Sequence, residues 1–235
     1  MEIIVEINEK NIELITKEII STIKLKEIKR LKNDTIEDNQ IKSSKLIALP
    51  SDTNNTITSI IAEINSSLLG INKEKIQELV KLIIHTKRIF IAGLGRSGLI
   101  CKAFGMRLMQ IGFTVFLVGE TNTQAIKSGD LLISVSGSGR TVNSLNIIKK
   151  AKDFGAYKFL ITANNDTPMS EIADSFILIP APTKSQTNMD ITGSQLIGSL
   201  FEQSTFILFE CIIDILSKKL CLKRDEIMKR HANLE

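Results

Sequence analysis

Five short apolar runs recur along the chain, and helical stretches separate most of them. Runs that are apolar throughout indicate strands buried on both faces, as in a parallel sheet. Alternation of such runs with helices is typical of α/β folds, in which helices cover both sides of the sheet. The sequence therefore predicts an α/β domain in three layers around a five-stranded parallel sheet. The strands are predicted at 88–93, 113–118, 131–136, 157–162 and 175–180.

Residues 1–50 differ from this alternating pattern. Isoleucines recur on one face of a predicted helix that runs to about residue 31, with Glu and Lys opposite, and a polar linker follows. We therefore predict an N-terminal helical extension with a linker over 1–50 and a single α/β domain over 51–235. Within the domain, helices are predicted near 56–69, 73–85, 193–217 and 223–231.

Composition excludes several classes of protein. The net charge is +4 without a dense basic cluster, and only 5% of residues are aromatic, which argues against a nucleic-acid partner. Three scattered cysteines and two histidines suit neither a disulfide framework nor a metal site. The chain opens without the features of a signal peptide, and charges interrupt its most apolar helix. A cytoplasmic protein with no membrane partner is expected.

A glycine loop, GLGRSG, follows the first predicted strand. Gly93, Gly95 and Gly98 match the spacing of a dinucleotide-binding fingerprint, and Glu120 follows at about the distance of a ribose-binding acid. Glu120, however, lies beyond the second apolar run, after Gly119, and no second domain supplies a redox substrate. We therefore favour a loop that forms half of a sugar-phosphate pocket.

A second loop, SGSGRT, follows the third predicted strand just before a helix. Glycines let backbone N–H groups converge on one point, a helix start adds positive partial charge, and hydroxyls donate further hydrogen bonds. The alternative is a tight turn with a serine cap. Two such loops at neighbouring strand ends favour a phosphate site, formed by Ser136, Gly137, Ser138, Gly139 and Thr141 with Ser97 from the first loop.

The order of GLGRSG, GET, SGSGRT and the ending RHANLE resembles the sugar isomerase (SIS) domain family. The stretches AFGMRLMQIGF, VGETNT and GSLFEQS make the likeness more specific, to the 6-phospho-3-hexuloisomerases within that family. The resemblance covers roughly residues 55–235. It implies a flavodoxin-like fold and an oligomer with shared active sites, with a tetramer favoured over a dimer.

The resemblance also implies an activity, the interconversion of D-arabino-hex-3-ulose 6-phosphate and D-fructose 6-phosphate in the ribulose monophosphate pathway. Such an isomerase uses no redox cofactor and no metal, and it works beside 3-hexulose-6-phosphate synthase. Two alternatives stay open at this point: an isomerase of another sugar phosphate, and a domain that senses a sugar phosphate without catalysis. A regulator of the second kind carries a DNA-binding module, of which residues 1–50 give no pattern.

Moving a carbonyl between adjacent carbons requires a base that removes a carbon-bound proton. Glu202 lies among apolar residues of a predicted helix, where an unpaired carboxylate is costly; the alternative is a carboxylate paired with a nearby Arg or Lys. The resemblance assigns the family's catalytic glutamate to this position. It also makes His231, near the end of the chain, a candidate for proton transfer to sugar oxygens, in the same or an adjacent subunit.

The two arginines of the glycine loops are predicted to have different roles. Arg96 is predicted to contact sugar hydroxyls or phosphate, with a structural ion pair as the alternative. Arg140 is predicted to point to solvent or to a neighbouring subunit.

Overall fold

The computed structural model of the chain describes residues 53–182 and 195–234. The predicted helical extension over residues 1–50 lies outside the described residues, and so does most of the predicted polar loop before the last long helix. The division of the chain near residue 50 therefore stays a prediction.

The five predicted strands form one sheet. All neighbouring strands pair in parallel, in the order β2-β1-β3-β4-β5. This order and direction confirm the predicted flavodoxin-like α/β fold. The strands are β1 (Ile89–Gly93), β2 (Val115–Leu117), β3 (Leu131–Val135), β4 (Tyr157–Thr162) and β5 (Ser175–Leu178).

Helices cover both faces of this sheet and complete the three layers. One buried cluster joins α2, α3 and α6 to one face, and a second joins α4 and α5 to the other. No helix in residues 53–182 and 195–234 has both the length and the apolar character needed to cross a membrane. The helices are α1 (Thr53–Leu69), α2 (Lys73–His85), α3 (Gly95–Gln110), α4 (Val142–Asp153), α5 (Pro168–Ile172), α6 (Ser199–Lys219) and α7 (Arg224–Met228).

Several predicted boundaries differ from the observed ones by a few residues, and two of the differences have a clear local reason. The second strand is shorter than the run 113–118, because the Phe113 N–H donates to the Leu108 carbonyl and so belongs to the end of α3. The long helix begins at Ser199 rather than near 193, because Gly198 adopts a left-handed φ of 95° immediately before it.

The sheet order reverses between β1 and β3, which is where open parallel sheets bind ligands. After β1 the chain moves outward to β2, and after β3 it moves the other way to β4. Gly93, the last residue of β1, pairs in register with Val135, the last residue of β3. The two glycine loops therefore start side by side at the carboxyl edge of the sheet.

Glycines in the first loop allow α3 to pack closely on β1. A Cβ at Gly98 would lie 2.8 Å from the Gly93 carbonyl oxygen, and one at Gly93 would lie 2.6 Å from Cys101 Sγ. These distances are shorter than van der Waals contact, so neither position has room for a side chain. The glycine spacing of the loop thus has a packing cause that involves no dinucleotide.

We predict that Gly98→Ala destabilises the fold. Alanine in place of glycine normally favours a helix by about 1 kcal/mol, but here the new methyl meets a backbone oxygen that cannot move aside. Urea unfolding at fixed protein concentration should give a loss of about 2 kcal/mol in unfolding free energy.

Gly105→Ala in the same helix is the matched control. Its methyl would meet the Leu117 Cδ2 atom at 3.0 Å, and a flexible side chain can adjust, so the change should stay within about 1 kcal/mol. A Gly98→Ala protein as stable as the wild type would contradict this account of the packing.

Candidate active site

A cleft of about 410 Å³ lies at the carboxyl edge of the sheet, above the ends of β1 and β3. Both glycine loops and the start of α6 contribute to its wall. It is lined by Ser97, Gly137, Ser138, Arg140, Thr141, Pro182, Ile197, Gly198, Phe201 and Glu202.

Backbone hydrogen bonds fix the SGSGRT loop to β4. The Ser136 N–H donates to the Ile161 carbonyl at 3.0 Å, and the Gly137 carbonyl accepts from the Ala163 N–H at 3.0 Å. The Thr162 hydroxyl donates to the same Gly137 carbonyl at 3.2 Å. Hydrogen bonds within the chain therefore hold the loop at Ser136 and Gly137.

The same loop packs directly against the helix that carries Glu202. A Cβ at Gly137 would lie 3.0 Å from the Phe201 ring, so glycine is needed for the loop to approach α6. Gly139 has φ +60°, and a Cβ there would lie 2.3 Å from Thr167 Oγ1 at the start of α5. Both positions of the loop thus favour glycine for a physical reason. Gly137 allows the loop to approach the Phe201 ring closely, and Gly139 adopts a left-handed turn.

Hydroxyl groups of the two loops meet at the cleft. Ser97, Ser138 and Thr141 line it. Ser136 is buried in the loop, and its Oγ has no hydrogen-bond partner among the residues that the structure describes. A buried hydroxyl without a partner is uncommon in proteins and needs an explanation, such as an unseen ligand or water.

Three helices start around the cleft: α3, α4 and α6. In the described part of the chain no side chain caps their first turns, which begin at Leu94, Thr141 and Gly198. By contrast, Asn72 caps α2 and Thr167 caps α5. Uncapped N–H groups and the positive ends of helix dipoles favour an anion, so the cleft is suited to a negatively charged group.

Glu202 lies in the first turn of α6 and is the one carboxylate that lines the cleft within the described residues. Its side chain is 15% exposed, and Glu202 Oε2 accepts a hydrogen bond from Arg96 Nε. For both Arg96 and Glu202 the sequence left open an ion pair as the alternative. The structure contains such a pair, and it joins these two residues at the cleft.

Arg140 lines the cleft and is also exposed to solvent. Its Nη2 donates to the Asp166 carbonyl at 2.7 Å. The expectation that Arg140 points to solvent or to another subunit was incomplete, because a contact within the chain holds the guanidinium beside the loop.

His231 lies far from this cleft in the same chain. The helix α3 starts at the carboxyl edge of the sheet and ends near Gly112 at the amino edge, where the Arg230 guanidinium lies about 3.5 Å from the position of a Gly112 Cβ. His231 follows directly, is exposed, and its Nδ1 is 3.1 Å from the Ala232 carbonyl oxygen. The structure does not bring His231 and Glu202 together within one chain.

Two other side chains near the first loop do not line the cleft. Glu120, the candidate ribose-binding acid, forms an ion pair with Lys102 at 2.7 Å. Cys101 lies beneath the loop, and burial raises the pKa of its thiol to about 12. Cys101 is therefore a neutral packing group and not a nucleophile.

Sequence reasoning missed the apolar side of the cleft and the residue that starts α6. Ile197 and Phe201 line the cleft, and Gly198 fixes where the helix begins. The sequence feature that could have indicated the start of α6 is the glycine four positions before Glu202, because a glycine inside a predicted helix can mark a boundary of that helix.

The chain is similar to known proteins along most of its length. It is 37% identical to a 3-hexulose-6-phosphate isomerase of Mycobacterium gastri over 184 residues, 78% of this chain and 92% of that protein. It is 40% identical to a 3-hexulose-6-phosphate isomerase of Methanocaldococcus jannaschii over 162 residues, 69% of this chain and 85% of that protein.

A solved structure from Methanococcus jannaschii, for which a function of 3-hexulose-6-phosphate isomerase was inferred, has a similar fold. The TM-score is 0.66 and the sequence identity 34%, and the match covers 77% of this chain and 99% of that one. The sequence profile of the SIS domain matches residues 82–203, which include both glycine loops and Glu202. Together these matches confirm the predicted resemblance: the chain belongs to the SIS domain family.

Proposed function

We propose that the chain is a sugar-phosphate isomerase that interconverts D-arabino-hex-3-ulose 6-phosphate and D-fructose 6-phosphate. The observation that carries the proposal is the composition of the cleft, in which one carboxylate faces a hydroxyl-rich glycine loop at the start of uncapped helices. The relatives that bear this activity in their name are 36–40% identical to the chain.

Glu202 is the proposed base. In fructose 6-phosphate the carbonyl is at C2, so removal of the C3 proton gives a 2,3-enediol. Return of a proton to C2 then yields the 3-ulose. The two carbons are neighbours on one chain, so one carboxylate can serve both transfers. The reaction moves one proton from C3 to C2 and one from the C3 oxygen to the C2 oxygen, without net oxidation, so it requires no redox cofactor.

The substrate phosphate is proposed to bind the SGSGRT loop. Its ligands are the hydroxyls of Ser136, Ser138 and Thr141 with the backbone N–H group of Gly137, and Ser97 contributes from the first loop. Gly139 contributes through the turn of the backbone, because its own N–H donates to the Ser136 carbonyl at 3.1 Å. The uncapped starts of α3 and α4 support this assignment. The Ser136 Oγ, which has no partner among the described residues, lies buried in the same loop and does not line the cleft. Hydroxyls and backbone N–H groups at a helix start are typical phosphate ligands.

Further copies of the chain are the proposed partners, in a tetramer. Support comes from an apolar outer face on three adjacent helices, α1, α3 and α6, whose large side chains are exposed and would be covered by another copy. This face consists of Ile57, Ile61, Leu99, Met106, Phe206 and Ile207. An assembly would also allow His231 of one copy to reach the cleft of another, where a neutral imidazole can move protons between sugar oxygens.

The metabolic setting proposed is the cytoplasmic ribulose monophosphate pathway. There 3-hexulose-6-phosphate synthase joins formaldehyde and ribulose 5-phosphate, and its product is the substrate of the reaction above. A coupled assay with that synthase, read through phosphoglucose isomerase and a dehydrogenase, therefore tests the proposed activity directly. Absence of turnover together with saturable binding of fructose 6-phosphate would favour a sugar-phosphate sensor instead.

Glu202→Gln should lower kcat in this assay by about 100-fold or more, because the amide cannot accept the proton. Glu210→Gln is the matched control, since Glu210 lies on the same helix and pairs with Arg107 outside the cleft. Full turnover by Glu202→Gln would leave the activity in place and remove Glu202 as its base.

Ser138→Ala and Thr141→Val should each raise KM with little change in kcat. Loss of one hydrogen bond to the phosphate should cost about 1–2 kcal/mol, which is roughly a 5- to 30-fold weaker affinity. Ser128→Ala, at an exposed serine of the opposite edge, is the control. Unchanged KM values in both cleft variants would move the phosphate away from this loop.

His231→Ala should lower kcat by about tenfold or more if His231 acts in proton transfer. Co-expression with Glu202→Gln chains should then restore activity, because mixed assemblies contain some sites with an intact Glu202 and an intact His231 from different copies. Co-expression of Glu202→Gln with the double variant Glu202→Gln/His231→Ala should restore none. A His231→Ala enzyme within twofold of the wild type would end this role for His231.

A further inference from the structure

Arg96 and Glu202 connect the starts of two parallel helices beside the cleft. Arg96 is in the first turn of α3, Glu202 is in the first turn of α6, and Arg96 Nε donates to Glu202 Oε2. The Arg96 side chain is 65% exposed. Ion pairs with so exposed a partner contribute little to stability, so stability alone does not account for this contact.

Other contacts hold α3 and α6 together further along the two helices. The Phe104 and Phe209 rings stack at 3.9 Å between centroids. A second ion pair joins the same helices further from the cleft, between Arg107 Nε and Glu210 Oε1 at 3.9 Å. The packing of α3 on α6 therefore does not require Arg96.

The contact with Arg96 holds one carboxylate oxygen of Glu202 and leaves the other open. Nε binds Oε2, and no residue in the described ranges hydrogen-bonds Oε1. Gly198 lies beside Oε1, and a Cβ built there would be 3.7 Å from this oxygen, an ordinary van der Waals distance. Oε1 is therefore not crowded from this side, at the edge of the cleft.

The proposed reaction makes a specific demand on this carboxylate. The proton leaves C3 of fructose 6-phosphate for a carboxylate oxygen and then passes from that oxygen to C2, so the group must stay aligned during both transfers. A carboxylate that rotates freely would lose this alignment, and small misplacements of a reacting group reduce rates strongly.

We infer that Arg96 is a positioning residue, which fixes the Glu202 carboxylate through Oε2 so that Oε1 carries the proton between C3 and C2. The inference rests on the proposed function. It assigns Arg96 to the base rather than to the substrate phosphate, which is proposed to bind the SGSGRT loop.

A double-mutant cycle over Arg96→Gln and Glu202→Gln tests this inference. The readouts are kcat in the coupled assay, exchange of the C3 proton of fructose 6-phosphate in D2O by NMR, and fructose 6-phosphate affinity by calorimetry. Arg96→Gln alone should lower kcat and exchange about 100-fold, with affinity within about threefold. Because Arg96 acts through Glu202, the same change in a Glu202→Gln protein should alter the residual rate by less than about threefold.

Two further variants separate positioning from packing. Arg96→Lys keeps a cation at the site and should recover about tenfold of the lost rate, although it lacks the Nε geometry. Arg107→Gln removes the other ion pair between α3 and α6 and should keep kcat within about twofold of the wild type.

Several outcomes would overturn the inference. Equal losses in Arg96→Gln and Arg107→Gln would indicate helix packing, and a loss confined to affinity would make Arg96 a substrate ligand. Independent, multiplicative losses in the double variant would mean that Arg96 does not act through Glu202. A wild-type protein with neither turnover nor exchange would instead refute the proposed function, and this inference with it; wild-type turnover with an unaffected Arg96→Gln refutes the inference alone.

Discussion

The parallel pairing of β1 with β3 is the constraint on which the rest of the site depends. Because the chain leaves these two strands in opposite directions, no connection crosses above their carboxyl ends, and the space between the two outgoing loops stays open. The register then sets the two loops level with each other, since Gly93 and Val135 end their strands as partners. A shift of one residue would separate the hydroxyl groups that now face one cleft.

The helix α6 brings Glu202, the proposed base, to this opening. It packs on the same face as α3 and runs parallel to it, fixed by the stacked Phe104 and Phe209 rings. Its start, set by the left-handed Gly198, therefore lies beside the start of α3. Glycine at 137 lets the SGSGRT loop contact Phe201, so the loop proposed to bind phosphate touches the residue next to the proposed base. The proposed phosphate loop and the proposed base are therefore close neighbours in the structure.

The electrostatics of the cleft follow from the same arrangement. Three helix starts without side-chain caps supply positive partial charge, and an anionic ligand can complete their hydrogen bonds. The Glu202 carboxylate, which lines the cleft, would repel such a ligand if it were unpaired, and its contact with Arg96 offsets that charge. The cleft can therefore hold a base and a phosphate a short distance apart.

Local sequence patterns are enough to predict the elements along the chain: five apolar runs, the helices between most of them, and two glycine loops at strand ends. These features are local, because burial on both faces of a strand and the conformational freedom of glycine are expressed in neighbouring residues. The motifs also gave the family and five of the ten residues that line the cleft, namely Ser97, Gly137, Ser138, Thr141 and Glu202. The partner of each side chain, by contrast, follows from the tertiary packing. The contact of Arg96 with Glu202, the packing of Gly137 on Phe201 and the distance of His231 from its own cleft join residues far apart in the chain, and such contacts depend on how the helices pack rather than on any local pattern.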